Sequence, residues 1–164
     1  MKRKIIKRAV ILIDRAGIIH NCCKLSEFLI LYLYMAYSKR VQYWIEMSDY
    51  DLETAVAMLE KGRYLYVGFM AHQCIEKILK ACYVSKLNEE PPFLHDLWRL
   101  IEKSGLRTKF HEDYAEIIDE LQPLNIEARY PRDKQALLEY LNRDYCGKLI
   151  ARTKELQSWI KKMC

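Results

Sequence analysis

The chain has 164 residues, 51% of them hydrophobic, which is enough for one domain with a proper core. Only four prolines and five glycines punctuate it, a composition that favours helices over a turn-rich β fold. The formal charge of +5 is uneven: residues 1–40 carry nine Lys/Arg against two acids, and residues 41–164 carry eighteen against twenty, so the basicity is not a nucleic-acid footprint of the larger part.

Residues 1–40 read as a leader outside the core domain, which is expected to span 41–164. Lys2–Arg8 is basic, and Phe28–Tyr37 is an apolar run too short to cross a bilayer. No small-residue cleavage site marks a signal peptide. Met35 is a sensible alternative start, with the residues before it an appended segment or upstream translation. The six cysteines form no CxxC pair, so no zinc site or other metal centre is expected, and free thiols point to a reducing cytoplasm.

From Val41 the periodicity sharpens. Val41, Trp44, Ile45, Ser48, Leu52, Ala55 and Leu59 share one helical face, and Gly62 is a natural stop. Tyr64–Ser85 follows after a two- or three-residue turn, so the two helices form an antiparallel hairpin. Its stripe is Tyr64, Gly68, Ala71, Ile75, Ile78, Leu79 and Cys82. Pro91-Pro92 breaks the chain before a short helix over Leu94–Ser104. Phe110–Leu121 is predicted as a helix ending before Pro123, and Leu124–Pro131 as a linker. A helical turn over Asp133–Leu141 and a last helix capped by Asn142 complete the chain. No stretch alternates with period two. The prediction is all-α, an up-and-down bundle of four to five helices.

Chemistry-bearing residues gather in a few places. His72, Glu76 and Lys80 form a row at i, i+4 and i+8 beside the apolar stripe. A His next to a carboxylate can move protons near neutral pH; the alternative is a solvated salt-bridge network at the bundle edge. His95-Asp96 follows the proline loop, where Asp96 suits a helix N-terminus, and His111 is expected at the exposed start of a helix. In Glu127-Ala128-Arg129-Tyr130-Pro131, Arg129 can grip a phosphate and Tyr130 can stack on a base. The competing reading pairs Arg129 with Glu76 or Glu127 as a linker anchor. Trp44, Tyr66, Phe69 and Trp98 are many large aromatics for one small bundle to bury.

These residues resemble the HEPN domain family. The match runs from about Val41 to Lys162, on SDYDLETAVAMLEKGRY, GFMAHQCIEKILKA, HDLWRLIEKSG after the proline loop, and EARYP. The resemblance implies a helical bundle, usually a homodimer, with no cofactor, often paired with a minimal nucleotidyltransferase in a toxin–antitoxin arrangement. Catalytic members of such a family are metal-independent ribonucleases with Arg-x4-6-His late in the domain. That motif is missing after Val41: Arg107-x3-His111 is one residue short, and Arg15-x4-His20 lies in the leader. The expectation is therefore a nucleotide-, RNA- or partner-binding component with ligand residues His72, Glu76, Lys80, Arg129 and Tyr130, no membrane association and no DNA-binding motif. The alternative is a ribonuclease with a non-standard site, in which Arg129 serves the phosphate and His72 or His95 serves the proton.

Overall fold

Between Gly17 and Gly62 the sequence contains neither proline nor glycine. The structure, a computed structural model that describes residues 23–164, places one helix there, α1, over Cys23–Glu60. The helical face read from Val41 onward is thus the second part of a longer helix, because nothing in Phe28–Tyr37 interrupts the backbone ladder. Residues 1–22, with Arg15 and His20, lie outside the described residues. Contacts divide the chain between Arg40 and Val41, and the unit described from here on is Val41–Cys164.

Gly62 ends α1 as its position predicts. It takes φ +66°, a left-handed conformation that costs glycine little, and the Arg63 N–H reaches back to the Met58 carbonyl at 2.8 Å. The short link returns the chain as α2, Tyr64–Leu87. Val67, Ala71, Cys74, Ile75, Ile78, Leu79 and Cys82 are fully buried along it.

α2 is the hub. The short helix α3, Leu97–Lys103, and then α4, Glu112–Glu127, α5, Lys134–Tyr140, and α6, Arg143–Met163, all pack against it. α1 joins this core through Ser48, whose hydroxyl donates to the Cys74 carbonyl at 2.7 Å. Gln157 of α6 donates in turn to Ser48 at 2.9 Å and to Asp49 at 3.0 Å. Asp96, Asp133 and Asn142 cap α3, α5 and α6, each accepting a first-turn backbone N–H. Among the described residues there are six α-helices, one 3-10 turn and no strand. Two of the helices, α3 and α5, have only seven residues each.

The helix predicted to stop before Pro123 does not stop there. α4 continues to Glu127 with Pro123 inside it, so the first four residues of the expected linker are its last turn and only 128–131 follow the helix. Proline in a helix interior removes one backbone bond and costs on the order of 3 kcal/mol. Burial beyond it favours continuation: Leu124 is 2% exposed and seats against Gly68 of α2, where a glycine leaves room for it.

Candidate functional site

The His72–Glu76–Lys80 row is not a solvated edge. The three residues are 0%, 3% and 7% exposed. Two neighbours bring this about. Trp44 of α1 lies over the Lys80 ammonium, 5.3 Å from ring centroid to Nζ. The proline loop folds back so that His95 sits against the row.

Glu76 is the centre. Its Oε1 accepts from Lys80 Nζ at 2.7 Å, and its Oε2 accepts from His95 Nδ1 at 2.9 Å. A buried carboxylate needs such partners, because desolvating an unpaired charge costs several kcal/mol. With Nδ1–H donated inward, His95 turns its other ring nitrogen outward, and its side chain is 66% exposed. The loop is fixed on both sides of the ring. The His95 carbonyl accepts from His72 Nε2 at 3.1 Å, Asp96 caps α3, and the Leu97 N–H donates to Gln122 Oε1 at 2.8 Å.

His72 is a different kind of histidine. Its Nε2 must carry the proton, because its partner is a carbonyl. Its buried Nδ1 then has no hydrogen-bond partner and faces Glu76 Oε2 at 3.9 Å. Burial lowers its pKa to about 4; Glu76 and the hydrogen bond to the His95 carbonyl oppose this, while the charges of His95 and Arg129 push the same way. His72 is therefore neutral at physiological pH and closed to solvent.

Arg129 is on α4's C-terminal side and joins this end of α2 through Asn125. Its Nε donates to the Asn125 carbonyl at 2.7 Å, and its Nη2 lies 3.4 Å from Asn125 Oδ1, which also accepts from Gln73 at 3.4 Å. The guanidinium stacks over Phe69 at 4.9 Å and beside Tyr130 at 5.6 Å. The expected pairing with Glu76 or Glu127 is not made: Glu76 is engaged by Lys80 and His95, and among the described residues no carboxylate lies within ion-pair distance of Arg129. Tyr130 is 72% exposed. The predicted residues thus fall into a buried triad, His72, Glu76 and Lys80, and a surface pair, Arg129 and Tyr130.

Four contributors were not predicted: Phe69 as a stacking base, Gln73, Asn125, and the Glu76–His95 bond. Asn125 was hidden by the reading of 124–131 as a linker. The Glu76–His95 bond joins residues nineteen apart through a loop, and no helical spacing signals it. His111 caps α4 from the surface, 3.4 Å from the Asp113 N–H. Among the described residues no group of His, Cys, Asp or Glu is arranged to hold a metal ion. No described helix is long and apolar enough to cross a membrane. Cys74, Cys82 and Cys146 are free and buried.

The family model for the HEPN domain matches residues 41–163. The chain belongs to the HEPN domain family. Its fold is shared with the crystal structure of TT1696 from Thermus thermophilus, at a TM-score of 0.66 and 20% sequence identity, over 76% of this chain and 98% of that one. No curated protein matches it. HEPN membership carries a nucleotide- or RNA-related function at the level of the family, and HEPN domains commonly dimerise.

Proposed function

We propose that this HEPN protein binds a nucleotide or single-stranded RNA at the end of α2 beside Arg129 and Tyr130, with His95 across His72 from them. The observation that carries the reading is the state of Arg129. Its guanidinium is oriented by Asn125 and Phe69, yet among the described residues no carboxylate lies within ion-pair distance of it. A fixed, uncompensated guanidinium suits a phosphate. Tyr130 beside it offers an exposed ring for a base. Glu76 and Lys80 act from beneath by holding the His95 loop in place. His72 supports the same loop through the His95 carbonyl.

The same reading places the protein in the cytoplasm, as a dimer working with a minimal nucleotidyltransferase in a toxin–antitoxin-like pair. Family membership supports these points, and the free buried thiols suit a reducing compartment.

Fluorescence anisotropy with a labelled single-stranded RNA tests the binding site. Arg129→Ala and Tyr130→Ala should each weaken binding by roughly tenfold or more, since a stacked base is worth about 1–3 kcal/mol. Arg129→Ala should also make binding less salt-dependent. Unchanged affinity in both variants would sink the assignment. Co-purification with a nucleotidyltransferase tests the pairing separately.

A further inference from the structure

Two cysteines outside the proposed RNA site lie side by side. Cys82 of α2 is fully buried, and Cys164, which follows the last residue of α6, is half-buried. The backbone and the side chain of Cys164 are both held. Its carbonyl accepts from the Ser85 hydroxyl at 2.5 Å, and Ser85 lies one turn after Cys82 on the same face of α2. Its Sγ donates to the Ile160 carbonyl at 3.3 Å. The two thiols are also in hydrogen-bond contact with each other. When Cys82 ionises, the Cys164 S–H donates to its thiolate, which lowers the Cys82 pKa; burial opposes this, and the charges of Lys86 and Lys109 assist it. The same bond raises Cys164. Lys86 is itself held by the Ser104 carbonyl at 2.8 Å. Cys74 and Cys146 differ. Cys74 faces Ser48 and Cys146 faces the Tyr64 carbonyl, and burial pushes the first up to about 12 and the second up to about 11. Thiols held protonated in this way react slowly with oxidants.

We infer that Cys82 and Cys164 are a peroxide-sensitive dithiol that closes to a disulfide, tying the hub helix α2 to the end of α6. Cys164 is the sulfur that a peroxide reaches, since Cys82 is sealed. Cys82 first loses its proton to solvent. Its thiolate takes the proton of Cys164, whose sulfur attacks one oxygen of hydrogen peroxide. A sulfur–oxygen bond forms and the O–O bond breaks. The departing hydroxide takes the proton back from Cys82 and leaves as water. The Cys82 thiolate then attacks the sulfenic sulfur of Cys164. The sulfur–sulfur bond forms, the sulfur–oxygen bond breaks, and the second hydroxide takes a proton from solvent. The two cysteines together lose two electrons, and the peroxide is reduced to two waters. The new bond closes a loop that contains α3, α4, α5 and α6, so it constrains the unfolded chain and stabilises the bundle. In a reducing compartment the pair rests as thiols, and a thiol reductant reopens the bond.

The test treats the reduced, folded full chain with hydrogen peroxide, blocks the remaining thiols by alkylation, and maps peptides by mass spectrometry without reductant. Wild type should give a Cys82–Cys164 peptide pair, lighter by two hydrogens than its separate halves, that dithiothreitol releases. Oxidation should raise its melting temperature by about 10 °C. Cys164→Ser changes only a half-buried thiol, and should abolish both the link and the rise. Cys82→Ala should leave Cys164 as a sulfenic acid that dimedone traps. Should Cys82→Ala not fold, wild type oxidised in urea takes its place: links should then scatter among the six cysteines, since contact no longer selects the pair. The same scatter in the folded chain would overturn the inference. So would a folded chain in which peroxide leaves Cys82 and Cys164 as thiols, or a folded Cys82→Ala with no dimedone adduct at Cys164.

Discussion

Glu76 carries the energetics of the site. It compensates Lys80, 7% exposed, and holds His95 through its other oxygen. Removing one member of a buried ion pair strands the other, at a cost of roughly 3–5 kcal/mol. Glu76→Ala should therefore lower urea-unfolding stability by about that amount, with Lys80→Met in the same background recovering part of it. A loss under about 1 kcal/mol would mean that water already solvates the pair. His72 makes a second residue-level prediction. Its folded pKa, about 4, lies below the ordinary 6.5 because burial disfavours the charged ring. Between those values the unfolded chain binds a proton that the folded chain refuses, so stability is complete above pH 6.5 and is lost as pH falls toward 4. The loss is on the order of 3 kcal/mol. Burial raises the Asp51 carboxyl, which works in the opposite direction at lower pH, so the comparison is between wild type and His72→Gln. Gln keeps a donor for the His95 carbonyl but does not titrate. Its stability profile should be flatter from about pH 6.5 to about 4.5; identical profiles would contradict a buried neutral His72.

At the scale of elements, α4 decides where Arg129 sits. Pro123 lies inside it, exposed, with no N–H to give the Asp119 carbonyl. Pro123→Ala should restore that bond and raise stability by about 1–2 kcal/mol, after the greater entropy of the unfolded chain is set against it. A fall in melting temperature would show that the proline geometry is needed to seat Leu124. Gly68 of α2 is the other half of this contact. A Cβ there would come within 3.0 Å of Leu124 Cδ1. Alanine gains up to about 1 kcal/mol in helix propensity, but overpacking against a side chain only 2% exposed costs about 1–3 kcal/mol. Gly68→Ala should lose about 1 kcal/mol net; a gain would mean Leu124 has room to move.

At the scale of the molecule, the all-α core was legible because the apolar stripe of α2 has the 3.6 period and because Gly62, Asp96 and Asn142 mark their helix ends with side chains or backbone freedom of the right kind, although α2 proves buried on nearly every side from 71 to 82 rather than on that stripe alone. α4's extent was not legible. A local rule stops a helix at Pro123, and a tertiary contact, Leu124 on Gly68, overrides it. The site divided in the same way. The spacing of His72, Glu76 and Lys80 was visible as a row on one helix, but their burial was not, since Trp44 and His95 cover the row from elements remote in sequence. Arg129 and Tyr130 stood out by residue type, whereas the Asn125 and Phe69 contacts that orient Arg129 depend on how α4 crosses α2. What remained for the structure was tertiary: which side of a helix a loop returns to.

Whether Arg129, Tyr130 and His95 form one RNA site is decided by titrating the isotope-labelled protein with a short single-stranded RNA, followed by NMR at the backbone amides and the histidine ring nitrogens. Shifts should concentrate at Phe69, Arg129 and Tyr130 and at His95 Nε2, with the sealed His72 ring changing little. Shifts confined to the separate aromatic cluster of Trp98, Phe110 and Trp159, or none at saturating RNA, would contradict that site.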